Sequence, residues 1–262
     1  LFGLSADMTP INEIAKRHDL WVIEDAACGF GAKYHGAHVG TLGTTGCFSF
    51  HPRKAITTGE GGMVTTSDSE LAKRIKCLRD HGATMSDLQR HLGAKPYLLA
   101  DHPEAGYNQR MTDIQGALGS AQMDRAEEIV KERQKLARIY NDAFAGLDWL
   151  RTPACPEGYN HGYQSYACMY RPRTANLSGI SAVNEARNSW MESLQKDGIS
   201  TRPATHAVHM LSFYRNKYGL SSTDFPNAYI ANDCSISLPL FHGMTEIEQE
   251  YVIDKVIGSL NK

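Results

Sequence analysis

Three side chains close together in the chain could hold a carbonyl compound and work on it. They are the carboxylate of Asp25, the hydroxyl of Ser49 and the amine of Lys54, all within the stretch WVIEDAACGFGAKYHGAHVGTLGTTGCFSFHPRKAITTGEGG from Trp21 to Gly62. A lysine amine of ordinary basicity is mostly protonated at neutral pH and is a poor nucleophile. It becomes useful when desolvation or a nearby cation lowers its pKa, or when it is held as a Schiff base. A carboxylate can keep a ring nitrogen protonated, and a hydroxyl beside a glycine-rich loop can hold a phosphate. A group with an aldehyde, a pyridine nitrogen and a phosphate would use all three.

The elements that must position these residues follow from the local pattern. The apolar run Trp21-Val22-Ile23 predicts a buried strand that ends at Asp25. A carboxylate at the C-terminal end of a parallel strand stands where open α/β sheets bind ligands. Cys47-Phe48-Ser49-Phe50 predicts a second short strand, His51-Pro52-Arg53 leads out of it, and Lys54 falls in the following loop. Gly59-Glu60-Gly61-Gly62 permits positive φ and close backbone approach. Taken singly, a strand-end Asp also suits a structural carboxylate and a loop Lys a solvated charge. GEGG alone is a turn, and it does not match the dinucleotide fingerprint.

Taken together, these motifs resemble the DegT/DnrJ/EryC1/StrS family of sugar aminotransferases. EDAA at 24–27, the GxxGCFSFxPxK pattern at 43–54 and TTGEGGMV at 57–64 follow the family signature in order and spacing. GYNQRMTDIQGALG at 106–119 and SLPLFHGMT at 237–245 extend the match over nearly the whole chain. The resemblance implies an α/β chain of the type I PLP-dependent aminotransferase fold. It would have a mostly parallel large-domain sheet, partial here, and a smaller C-terminal α/β domain. The implied cofactor is pyridoxal 5'-phosphate (PLP), with Lys54 as the catalytic lysine that binds its aldehyde as an imine. Asp25 would pair with the ring nitrogen, Ala27 would lie against the ring and Ser49 would bind the phosphate. Asn108 would reach the cofactor phosphate of a neighbouring subunit, which implies a homodimer with shared active sites. Arg110 would lie near the phosphate-bearing substrate and His206 near the sugar pocket.

Cys28 stands where many family members carry a Gln that hydrogen-bonds the ring hydroxyl. A thiol is a much weaker donor, and the alternative for Cys28 is a small buried apolar residue. The activity implied is transfer of an amino group from glutamate or glutamine to a nucleotide-linked keto-sugar, in amino-sugar biosynthesis for cell-surface polysaccharide or a secondary metabolite. One rival is a PLP-dependent sugar dehydratase of the same fold, but those enzymes carry His at the position of Lys54. Another is a non-catalytic remnant or sensor.

Composition sets broad bounds. The 262 residues are 42% hydrophobic and 21% charged with net charge −2, which suits a globular domain or two and argues against general nucleic-acid affinity. No apolar run reaches membrane-span length, and the six scattered cysteines contain no CxxC, so a cytoplasmic protein with reduced thiols and no zinc site is expected. His206 and His209 have no third ligand partner, so no metal is expected. The chain starts at Leu1 where family members carry a further segment, so it is read as N-terminally truncated. Uncovered strand edges and apolar surface would then make it poorly stable and weakly active by itself.

The remaining pattern predicts a large domain over 1–145 and a small one over 146–262. Thr9 and Pro10 suit the start of a helix with Ile11, Ile14 and Ala15 on its apolar face, and Ser67 or Asp68 caps a helix to Arg79. Residues 80–105 read as a long irregular segment reaching over an active site or subunit interface, with a possible helix over 88–92. Thr112 and Gln115 form a capping box for a long helix to about Ala145, with Ile114, Leu118, Ala121, Ile129 and Leu136 as its stripe. Strands are expected at 164–170, 199–201 and 235–240, and helices at 183–195, 227–232 and 245–257, the last with a Thr245–Glu248 box.

Overall fold

The computed structural model describes every residue except 86–88, 90, 91, 94, 96, 172 and 260–262. The possible helix over 88–92 lies mostly outside the described residues. The chain forms two compact units. The first comprises Leu1, residues 3–127 and 158–160, and the second Phe2, 128–157 and 161 onward. No helix among the described residues is long and apolar enough to cross a membrane.

The first unit begins with helix α1 (Met8–Arg17). Its N-cap is Asp7, not Thr9, which lies inside the helix with its hydroxyl 2.6 Å from that of Tyr34. Met8 and Ala15 are the buried residues of this helix, whereas Ile11 and Ile14 are exposed. Strand β1 (Ile23–Asp25) pairs in parallel with β4 (Thr45–Ser49), which pairs antiparallel with β5 (Gly62–Thr65). The expected buried strand over Trp21-Val22-Ile23 is corrected here. β1 is an edge strand, Trp21 and Ile23 are 70% and 67% exposed, and its buried residue is Glu24. A second small sheet joins β3 (Ala37–His38), β2 (Lys33–Tyr34) and β7 (Tyr159–Asn160).

Helix α2 (Ser69–Arg79) starts at Asp68, whose carboxylate accepts from the amides of Glu70 and Leu71. Beyond it the chain leaves and returns on itself. Asp80 bridges Asn108, and the amides of His81 and Gln109 bond to the carbonyls of Tyr107 and Arg79. Thr112 then caps α3 (Asp113–Met123) through the reciprocal Gln115 box. The single long helix to Ala145 is corrected to two. α3 ends at Asp124, and α4 (Ala126–Phe144) starts afresh. The stripe divides with it, since Ile129 and Leu136 are buried and Ile114 and Leu118 are exposed.

The second unit has an antiparallel sheet of β6 (Leu150–Arg151), β8 (Tyr166–Tyr170) and β9 (Ser235–Leu238) in the order β6-β8-β9. Tyr166, Cys168 and Tyr170 alternate inward from β8 onto Tyr140 and Phe144 of α4 and Trp190 and Leu194 of α5 (Ile180–Lys196). Burial raises the pKa of the Cys168 thiol, so it sits in the core as a neutral apolar group. Helices α6 (Ser212–Tyr218), α7 (Pro226–Cys234) and α8 (Glu246–Gly258) complete the unit, α8 with the Thr245–Glu248 box. At 199–201 there is no strand, only one bridge between Arg202 and Ser237. His161 is buried, its Nδ1 accepts from the Tyr163 amide at 2.9 Å, and burial pulls its pKa down to about 4.

Candidate active site

The two faces of the β1–β4–β5 sheet carry different chemistry. Paired residues of adjacent strands share a face, and alternation sends the next residue to the other side. The register Ile23 with Thr45 and Asp25 with Cys47 therefore puts Asp25, Cys47 and Ser49 on one face, and Glu24, Gly46 and Phe48 on the other.

The Glu24 face is a built support. The Glu24 carboxylate accepts from the amides of Gly40, Leu42 and Gly43 at 2.8, 2.6 and 2.7 Å. Gly40 sits at φ +87°, and a Cβ there would run into the Phe48 ring, so only glycine allows this approach. Ala26, Ala32 and Val39 pack with Phe48 and Leu42 on this side. The loop from 26 to 43 is thus folded against the sheet, which fixes the turn leaving Asp25.

The other face ends in the candidate site. The Asp25 carboxylate is exposed and accepts from the Ala27 amide at 3.1 Å, a short turn that closes the strand. Cys28 follows, half-buried, and its sulfur receives a hydrogen bond from Lys54 Nζ at 3.1 Å. Ser49 ends β4 on the Asp25 face with its hydroxyl oxygen 3.4 Å from the His51 amide. Lys54 lies in a loop closed at its base, where the Phe50 carbonyl accepts from the Thr58 amide and the Thr57 hydroxyl. The structure therefore brings Asp25, Ala27, Cys28 and Lys54 into one chain of contacts, with Ser49 at the same strand ends.

The more distant candidates have other company. Asn108 is exposed and bridges Asp80 through its backbone, and the Arg110 guanidinium pairs with the Asp80 carboxylate at 2.6 Å. His206 is exposed in the second unit. Two residues important to the geometry were missed from sequence. Glu24 precedes Asp25 and looked like part of a motif, yet it holds a loop. Gln122 bonds the loop after Lys54. Its signal was the spacing Gln115, Gly119, Gln122, which places two amides and a glycine on one helical face.

The model of the DegT/DnrJ/EryC1/StrS aminotransferase family matches residues 1–257. The chain belongs to that family. It is 38% identical over 97% of its length to the uncharacterized protein MJ1066 of Methanocaldococcus jannaschii, covering 64% of that protein. It is 35% identical over its full length to the GDP-perosamine synthase of Caulobacter vibrioides, again covering 64%. The chain thus spans about 64% of the length of these curated relatives. Among solved structures, the PLP form of the putative sugar aminotransferase Spr1654 from Streptococcus pneumoniae superposes with a TM-score of 0.83 at 26% identity. That superposition covers 99% of this chain and 67% of that one. The fold is that of the type I PLP-dependent aminotransferases, and the family's cofactor is PLP.

The residues present fit that cofactor. Lys54 Nζ donates only to a thiol and is in no ion pair among the described residues, so its amine is not tied up by a carboxylate. Asp25 accepts a single hydrogen bond among the described residues, which leaves acceptor capacity for a ring nitrogen. No group of three or more His, Cys, Asp or Glu among the described residues could hold a metal ion.

Proposed function

We propose that this chain carries the cofactor lysine of an aminotransferase that moves an amino group from glutamate or glutamine to a nucleotide-linked keto-sugar. The observation that carries the reading is Lys54 Nζ at 3.1 Å from Cys28, on the turn that leaves Asp25. The likeness to the GDP-perosamine synthase supports a sugar acceptor.

PLP, when bound, supplies an aldehyde that condenses with amines and a ring that takes up the electron pair left by a departing proton. Lys54 Nζ holds the aldehyde at rest. Lys54, once its amine is free, would take up and return a proton on the donor side, as base and then acid. Asp25 would keep a proton on the ring nitrogen, and Ala27 would lie against the ring. Cys28 sits beside the lysine, and Ser49 would hold the phosphate. Asn108 serves the cofactor phosphate of a second subunit in a homodimer. Arg110 would bind a substrate phosphate in place of its Asp80 partner, and His206 is assigned to the substrate on the family resemblance alone.

Lys54→Ala and Lys54→Arg test the reading. Both variants should lose transamination between glutamate and nucleotide keto-sugars while still binding pyridoxamine phosphate. Retained turnover in either removes Lys54 from its role. A dehydrated sugar as product would favour the dehydratase reading, against which Lys54 itself stands.

A further inference from the structure

The loop that carries Lys54 is held by one face of α3. Gln115, Gly119 and Gln122 stand at i, i+4 and i+7, so they line a single side of the helix. Gln122 meets the Thr57 backbone twice. Its Oε1 accepts from the Thr57 amide at 3.1 Å, and its Nε2 donates to the Thr57 carbonyl at 2.5 Å. This is the pairing that a neighbouring strand would offer, supplied by a side chain. Gln115 Nε2 donates to the Glu60 carbonyl at 2.9 Å, while its Oε1 serves the Thr112 cap. Between the two amides, Gly119 leaves room for Thr58, which is buried, and a Cβ there would come to 3.1 Å from Thr58 Cγ2.

The Lys54 loop leaves β4 at Phe50 and closes on it again at Thr57 and Thr58. Its return limb therefore depends on two anchors: the Phe50 carbonyl, and the α3 face that grips Thr57, Thr58 and Glu60. A loop with free backbone groups at this limb would let the lysine amine wander. Small displacements of a reacting group cost large factors in rate.

We propose that Gln122 is a positioning residue for Lys54, with Gln115 and Gly119 completing a clamp that fixes the return limb of the lysine loop. The proposal rests on Lys54 being the cofactor lysine. It gives the TDIQGALGSAQ segment at 112–122 a role in the first unit that helix formation alone does not explain.

The test uses the PLP-loaded protein and its Gln122→Met and Gly119→Ala variants. Gln122→Met keeps volume and helix propensity and removes both hydrogen bonds to Thr57. Gly119→Ala favours the helix but presses on Thr58. Each variant is reduced with borohydride to trap PLP on lysine. The single-turnover rate with glutamate and amide hydrogen exchange over 55–60 are then measured. Both variants should still trap PLP at Lys54. The rate should fall about ten- to a hundredfold in Gln122→Met with the KM for glutamate within about twofold. Exchange over 55–60 should accelerate while the rest of the first unit is unchanged. Gly119→Ala should also be slower, without loss of thermal stability. Wild-type rate and exchange in Gln122→Met overturn the clamp, and if that variant does not fold, wild-type values in Gly119→Ala do so. Failure of the wild type itself to trap PLP at Lys54 overturns the aminotransferase reading instead, and the exchange comparison still decides whether α3 fixes the loop.

Discussion

Lys54 Nζ donates to the Cys28 sulfur at 3.1 Å, so the amine at the tip of one loop is tied to the turn that follows Asp25. That one bond links the end of β1 to the loop beyond β4. Cys28 is thus the residue through which the Lys54 loop meets the turn after Asp25.

A sulfur acceptor contributes little. Cys28→Ala should therefore bind PLP within about threefold of wild type, since one weak hydrogen bond is worth under ~1 kcal/mol. Cys28→Gln, which offers a stronger amide donor, should bind PLP more tightly. Cofactor release followed by absorbance measures both. A Cys28→Ala protein that loses PLP altogether would show that the thiol does more than this geometry allows.

Glu24 should matter more to the fold than its exposed neighbours. Removing its buried carboxylate leaves the amides of Gly40, Leu42 and Gly43, the first buried and the others half-buried, without their acceptor. Glu24→Ala should cost about 3 kcal/mol or more in urea unfolding. Glu24→Gln keeps one acceptor oxygen and should lose less. Hydrogen exchange at 40–43 should rise in both.

His161 gives the second unit a dependence on acid. Its folded pKa of about 4 lies below the ordinary 6.5, so its neutral ring favours folding in full above pH 6.5. That contribution falls away as pH drops from 6.5 toward 4, and its total is at most about 3 kcal/mol. His161→Gln, which keeps an acceptor for the Tyr163 amide, should flatten the fall. Urea midpoints at pH 7 and pH 5 measure the difference, and an equal fall in both proteins would place the acid sensitivity elsewhere.

What could be read in advance was what depends on neighbours along the chain. Asp68, Thr112 with Gln115, and Thr245 with Glu248 cap their helices as their spacing predicts, because a cap and its amides lie within one turn. The Lys54 loop and the strand ends at Asp25 and Ser49 were also visible, as motifs at fixed spacing. Partners far along the chain were not. Thr9 looked like a cap, yet the helix starts before it and its hydroxyl meets that of Tyr34. The break at Asp124–Arg125 carries neither Gly nor Pro, so no local signal marks it. Trp21 and Ile23 looked like core residues, yet β1 is a sheet edge and buries Glu24 instead. Gln122 holds a loop 65 residues away in sequence, which no window around it could show.

Borohydride reduction of the protein incubated with PLP, followed by peptide mapping, bears most directly on Lys54. One pyridoxyl group is expected, on the peptide containing Lys54, and none in Lys54→Ala. A reduced adduct on a different lysine, or equal labelling of wild type and variant, would contradict this expectation.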